Sequence, residues 1–127
     1  MPVKVPDSSA IAAILFGEPN AQEVFARLHG YSLVAPALLI CELTNVCLKK
    51  IRAIPGDREH FLAGYEVWKE MGLDLVAVDF ANVLALAERL KLTSYDASYL
   101  WLAQNLGAEL VTLDRRLARA AGAPPSG

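Results

Sequence analysis

Apolar residues in this chain fall into two kinds of run. Short continuous ones stand at Val3–Pro6, Ser32–Ala35, Leu73–Val78 and Glu109–Leu113. Continuity without polar alternation is the mark of a strand covered on both faces. Longer stretches carry helical patterns over Ser8–Phe16, Pro19–Leu28, Ala37–Arg52, Asp57–Met71, Asp79–Leu90, Ser94–Leu106 and Arg115–Ala121. Their punctuation agrees. Asp7 or Ser8 caps the first, Pro19 opens the second, Pro36 the third, and Gly30, Gly72 and Gly107 act as stops. Helices separate every pair of strands, which predicts right-handed crossovers and a parallel sheet. The predicted fold is α/β, a three-layer α/β/α sandwich around a small parallel sheet.

The length of 127 residues fits one domain, read as residues 1–122 followed by a flexible tail over 123–127, where Pro124 and Pro125 forbid a helix. Residues of the AVILMFWYC set make up 54% and charged residues 20%, which excludes disorder and favours elements buried on more than one side. So high an apolar content in a short chain also suggests an interface between copies. Cys41 and Cys47 are six apart with no CxxC partner, and read as reduced core thiols of a cytosolic protein. Ala10–Phe16 is too short to span a bilayer, and the run from Val34 to Cys41 contains Pro36 and stops at Glu42. A cytoplasmic protein without membrane contact is expected.

Ligands of such sheets bind beyond the carboxyl ends of the strands, and acids stand there. Asp7 ends the first strand and Asp114 the last; Asp96 lies in the first turn of TSYDASYLWLA, and Glu42 is the one acid in ALLICELTNVCLKK. Separations of 35, 54 and 18 residues mean that only folding can assemble them. Each also has a plain structural explanation. Asp7 and Asp114 can be helix caps, Thr93 and Asp96 fit a capping box, and Glu42, Asn45, Lys49 and Arg52 form a stripe that can face water. Asp79 follows a strand in the same way, so position alone does not select Asp114 over it.

The strings VPDSSAIAAILFGEP, APALLICELTNVCLKK and LKLTSYDASYLWLAQNLGAELVTLD, with the succeeding RRLARAA, resemble the PIN-domain nucleases, in particular the VapC-type toxins. The resemblance runs from Val3 to Ala121 and diverges most between Ile54 and Asp74. It implies that Asp7, Glu42, Asp96 and Asp114 are the catalytic and metal-binding acidic quartet, with Thr112 and Asn45 in support; Asp79 falls on no motif and is left as a cap. It further implies Mg²⁺ or Mn²⁺ as cofactor, RNA as substrate, a protein antitoxin, and a homodimer or higher oligomer.

The chemistry is coherent with that expectation. Mg²⁺ and Mn²⁺ are hard cations that take oxygen ligands and keep waters, and no cluster of His or Cys competes for zinc. Asp7, Glu42 and Asp96 are expected as the main ligands, with Asp114 either a ligand or an outer-shell support. The net charge of −2 comes from 14 acids and 12 bases, so outside the quartet the balance turns positive. Lys49, Lys50 and Arg52 on one helix, and Arg115, Arg116 and Arg119 on another, are candidates for phosphate contacts. Tyr95, Tyr99 and Trp101 lie near Asp96 as the few aromatics suited to base stacking, Trp101 reading more as core. There is no GxGxxG after the first strand and no GxxxxGK[ST], which removes dinucleotide and P-loop chemistry. Two alternatives stay open: an RNA-processing PIN nuclease that is not a toxin, and an inactive PIN-like module that binds protein.

Overall fold

Four parallel strands lie in the order β3-β2-β1-β4. The computed structural model describes residues 2–122. The expected tail over 123–127 lies outside them. The strands are β1 (Val3–Pro6), β2 (Ser32–Pro36), β3 (Asp74–Val76) and β4 (Glu109–Val111). The helices are α1 (Ser8–Leu15), α2 (Ala21–Leu28), α3 (Leu38–Ala53), α4 (Arg58–Glu66), α5 (Phe80–Leu90), α6 (Ser94–Leu106) and α7 (Arg115–Ala121). The α/β sandwich read from the pattern is therefore the observed architecture, with α1 to α4 forming one set of packed helices and α5 to α7 another.

The chain winds outward from β1 through β2 to β3, then returns to place β4 on the other side of β1. The switch of direction therefore falls between β1 and β4, and a crevice opens beyond the carboxyl ends at such a point. Register decides what meets there. Pro6 pairs with Val111, so the next residues, Asp7 and Thr112, leave the sheet side by side. The two central strands both end in proline, Pro6 and Pro36, where a ladder hydrogen bond is no longer needed.

Three elements differ from the pattern reading. β4 stops at Val111 and not Leu113, because Thr112 and Leu113 spend their polar groups on Asp7 and Ser9. β3 spans only three residues, because as an edge strand it pairs with β2 alone. The single helix expected over Asp57–Met71 is broken into a 3₁₀ turn at Pro55–Asp57, α4, and a second 3₁₀ turn at Val67–Glu70. That last tightening brings Trp68 and Met71, three residues apart, onto the core together. Gly64 lets α4 approach α1 closely, since a Cβ there would lie 2.5 Å from the Leu15 carbonyl oxygen.

The core gathers Val5, Ile11, Leu39, Leu43, Tyr99 and Val111, each essentially without solvent exposure. Helix α6 is buried on most of its circumference, because it contacts β1, β2 and β4 on one side and α5 and α7 on the other. Trp101 packs on all three hydrophobic clusters and is a core residue. The cysteine expectation needs correction. Both thiols are free and Cys47 is buried, but Cys41 is exposed. Leu39, Leu43 and Cys47 recur every four residues along the buried face of α3. Cys41, two residues past Leu39, is turned about 200° from it around the helix. No described helix is long and apolar enough to cross a membrane.

Candidate active site

Asp7 leaves β1 with only 4% of its surface exposed and caps α1, its Oδ1 accepting the Ala10 amide at 3.0 Å. Burying a carboxylate is costly unless its oxygens are hydrogen-bonded. Two hydroxyls meet that need. Ser9 Oγ donates to Oδ1 at 2.7 Å and Thr112 Oγ1 donates to Oδ2 at 2.5 Å. Each hydroxyl in turn accepts a backbone amide, Ser9 from Leu113 at 2.9 Å and Thr112 from Asp114 at 3.0 Å. Oδ1 thus has both lone-pair directions occupied, while Oδ2 keeps one for a further partner.

The other three acids lie around it, near enough for their charges to act on Asp7 or on one another. Glu42 is half-buried in the second turn of α3, and Tyr99 of α6 donates its hydroxyl to Oε1 at 2.5 Å. Asp96 sits in the first turn of α6, its amide bonded to the Thr93 cap at 3.1 Å. Asp114 caps α7 through Oδ1, which accepts the Leu117 amide at 2.9 Å. The capping roles of Asp7 and Asp114 therefore hold alongside convergence. The control behaves otherwise: Asp79 caps α5 through the Asn82 amide at 3.3 Å and lies exposed at the β3 edge.

Proton affinities follow burial first and the neighbouring acids second. Burial pushes the Asp7 carboxyl up; its hydrogen bonds to Thr112, Ser9 and Ala10 pull it back, and the Asp114 charge adds to the rise. Glu42 is raised by burial first, opposed by the Tyr99 hydrogen bond, and raised further by Asp96 and Asp7. Asp96 is raised by burial, then by Asp114 and Asp7, against the lowering pull of Thr93 and Arg116. Asp7, Glu42 and Asp96 thus each feel the charge of at least one other acid. Tyr99 is driven far above its ordinary range by burial and by Glu42, and so stays a proton donor to it.

The donor set consists of carboxylate oxygens, which suits a hard divalent cation. Among the described residues no three His, Cys, Asp or Glu side chains stand together so as to hold a metal ion as they are placed. The residues fit such a cation by the chemistry of their donors and not by a preassembled cluster.

The remaining expected residues separate. Asn45, Lys49 and Arg52 are exposed on α3, while Lys50 lies 5.2 Å over the Phe16 ring. Arg115 and Arg119 are exposed on α7; Arg116 donates to the Lys91 carbonyl at 2.6 Å and acts on Asp96. Tyr99 is buried and serves Glu42, so it presents no face for stacking. The sequence pattern alone gives Ser9 no separate role. Its signal is the Asp-x-Ser spacing at the head of α1, which brings a hydroxyl back to the capping carboxylate.

The PIN domain profile matches residues 4–123. The chain is 32% identical over 124 residues to Ribonuclease VapC3 of Pyrobaculum aerophilum, covering 90% of this chain and 91% of that protein. It superposes on the crystal structure of PAE2754 from Pyrobaculum aerophilum with a TM-score of 0.77 at 26% identity, over 94% of this chain and 84% of the other. The chain belongs to the PIN-domain family, among its VapC-type proteins.

Proposed function

We propose that this protein is a metal-dependent endoribonuclease, the toxin of a toxin–antitoxin pair. Membership of the PIN family and the ribonuclease relative support a nuclease. The observation that carries the reading is geometric: the buried Asp7 carboxylate is fixed by Thr112 and Ser9, Thr112 ties it to Asp114, and Tyr99 fixes Glu42, so acids from separate elements are held around one crevice. Metal-free, such a group is destabilised by its own repulsion, so its assembly is a preparation for positive charge.

Asp7, Glu42 and Asp96 would hold Mg²⁺ or Mn²⁺, with Asp114 beside them as ligand or outer-shell support. When bound, the ion supplies an activated water and neutralises charge on the displaced oxygen. The protein's own part is positioning. Thr112 and Ser9 fix the Asp7 carboxylate, and Tyr99 fixes Glu42 in one orientation. Lys49 and Arg52 lie about 10 and 15 Å along α3 from Glu42, which suits contacts to successive phosphates of one strand. Arg115 and Arg116 open α7 directly after Asp114 and flank the acids on the other side.

The toxin reading implies an antitoxin that covers the acidic crevice, and a homodimer. Phe80 and Leu84, one turn apart on α5, are 71% and 69% exposed and support burial against a second copy. The deciding experiment is incubation of purified protein with single-stranded and structured RNAs in Mg²⁺ or Mn²⁺. Cleavage that stops in excess EDTA is expected. Cleavage unchanged by EDTA overturns the metal mechanism.

A further inference from the structure

Beside the acids, Cys41, Glu42 and Asn45 of α3 and Tyr95 of α6 line an open cavity of about 380 Å³. Its size is that of a small-molecule site. Tyr95 immediately precedes Asp96 and is 60% exposed, so its ring contributes little to packing. Among the described residues Asn45 and Tyr95 have no side-chain hydrogen-bond partner. The lining therefore offers an aromatic face, an amide with both donors and an acceptor, and a thiol.

The charge of the cavity selects its occupant. Its one ionisable acid is Glu42, and no Lys or Arg lines it. A phosphate would be repelled, whereas a neutral planar heterocycle stacks on a tyrosine and meets an amide with its edge. The cavity shares Glu42 with the acidic group, so its occupant adjoins whatever phosphate lies there. We infer that Cys41, Asn45 and Tyr95 form a nucleobase subsite that receives one unpaired base flanking the scissile phosphate. This rests on the ribonuclease reading and adds to it that the strand must be unstacked at the cut. A base inside a duplex cannot reach such a subsite.

The experiment uses a single-stranded oligoribonucleotide that the wild type cleaves in Mg²⁺, and versions abasic at either nucleotide flanking the cut. Tyr95→Ala is expected to lower kcat/KM roughly 5- to 100-fold, mostly through KM, as loss of one base–aromatic stack does. Tyr95→Phe recovers most of that loss, since it keeps the ring. At one flanking position the abasic change lowers wild-type cleavage by a similar factor, and Tyr95→Ala then loses little more. Losses that multiply at both positions, or a Tyr95→Ala variant with wild-type kinetics, overturn the subsite while leaving the nuclease standing. Absence of any RNA cleavage by wild type overturns both readings. A second readout is independent of turnover. In Asp96→Asn protein the intact oligonucleotide should slow alkylation of the exposed Cys41 thiol, and the abasic one should not. An alkylation rate unaffected by saturating oligonucleotide overturns the subsite.

Discussion

Thr112 donates its hydroxyl to Asp7 at 2.5 Å across a sequence separation of 105 residues. The bond is a direct product of strand register, since Pro6 and Val111 are the last pair of the β1–β4 ladder. The same Thr112 oxygen accepts the Asp114 amide at 3.0 Å, so one hydroxyl links two of the four acids.

Thr112→Val keeps the branched shape and removes that hydroxyl, leaving Asp7 Oδ2 and the Asp114 amide without it. A hydrogen bond to a charged group is worth about 1.5–3 kcal/mol, and a loss of that order is expected in urea unfolding. Thr112→Ser restores the donor and should recover most of the stability and the cleavage. A Val variant as stable and active as wild type would remove Thr112 from the site.

Asp96→Asn separates capping from metal binding by sign. If Asp96 shares a cation with Asp7 and Glu42, removing its charge relieves repulsion in the metal-free protein. Metal-free stability then stays level or rises, the stabilisation given by Mg²⁺ shrinks, and cleavage is lost. If Asp96 only favours the α6 dipole, the change costs a few tenths of a kcal/mol to about 1 kcal/mol, metal has no bearing on it, and activity survives. Thermal unfolding of both proteins with and without Mg²⁺, beside an RNA cleavage assay, decides.

The raised carboxyls fix a direction of pH dependence. Asp7, Glu42 and Asp96 bind protons more tightly in the folded protein than at their ordinary values of 3.8, 4.5 and 3.8. Stability from these groups is therefore fully present below those values and is lost as pH rises through the folded ones. The Tm of metal-free protein should rise as pH falls from neutrality toward the ordinary carboxylate range, and added Mg²⁺ should flatten that slope. Circular dichroism melts in matched buffers measure it. A metal-free Tm that falls steadily over this range contradicts the raised proton affinity of these carboxyls.

Phe80 and Leu84 lead to a prediction about assembly. Light scattering across a dilution series should give twice the 13.7 kDa chain mass. Phe80→Glu with Leu84→Glu should give the single mass without loss of fold, because both side chains stand in solvent within one protomer. Wild-type protein that is monomeric at tens of micromolar rejects the dimer.

Much of the molecule is decided by local sequence. Strand continuity, Pro36, Gly107 and the Asp and Thr caps act within a few residues, so the order of strands and helices and the parallel sheet follow from pattern alone. The helix break at Val67 was not legible, because it answers to the packing of Trp68 and Met71 on a core built from distant segments. The exposure of Cys41 is not legible for a related reason: a two-residue offset on α3 is a question of helix rotation, which apolar content does not report. The acids divide in the same way. Asp7, Asp79 and Asp114 are equivalent by position, each a cap after a strand, and it was the motif resemblance that demoted Asp79. Tertiary structure supplied the physical difference, because β4 returns beside β1 while β3 lies at the far edge. Burial of Asp7 among two hydroxyls, the Tyr99 bond to Glu42, and the mutual repulsion of the acids arise only from that strand order. Charge and hydrogen bonding act through space, and chain order fixes nothing about distances across a sheet until its register is set.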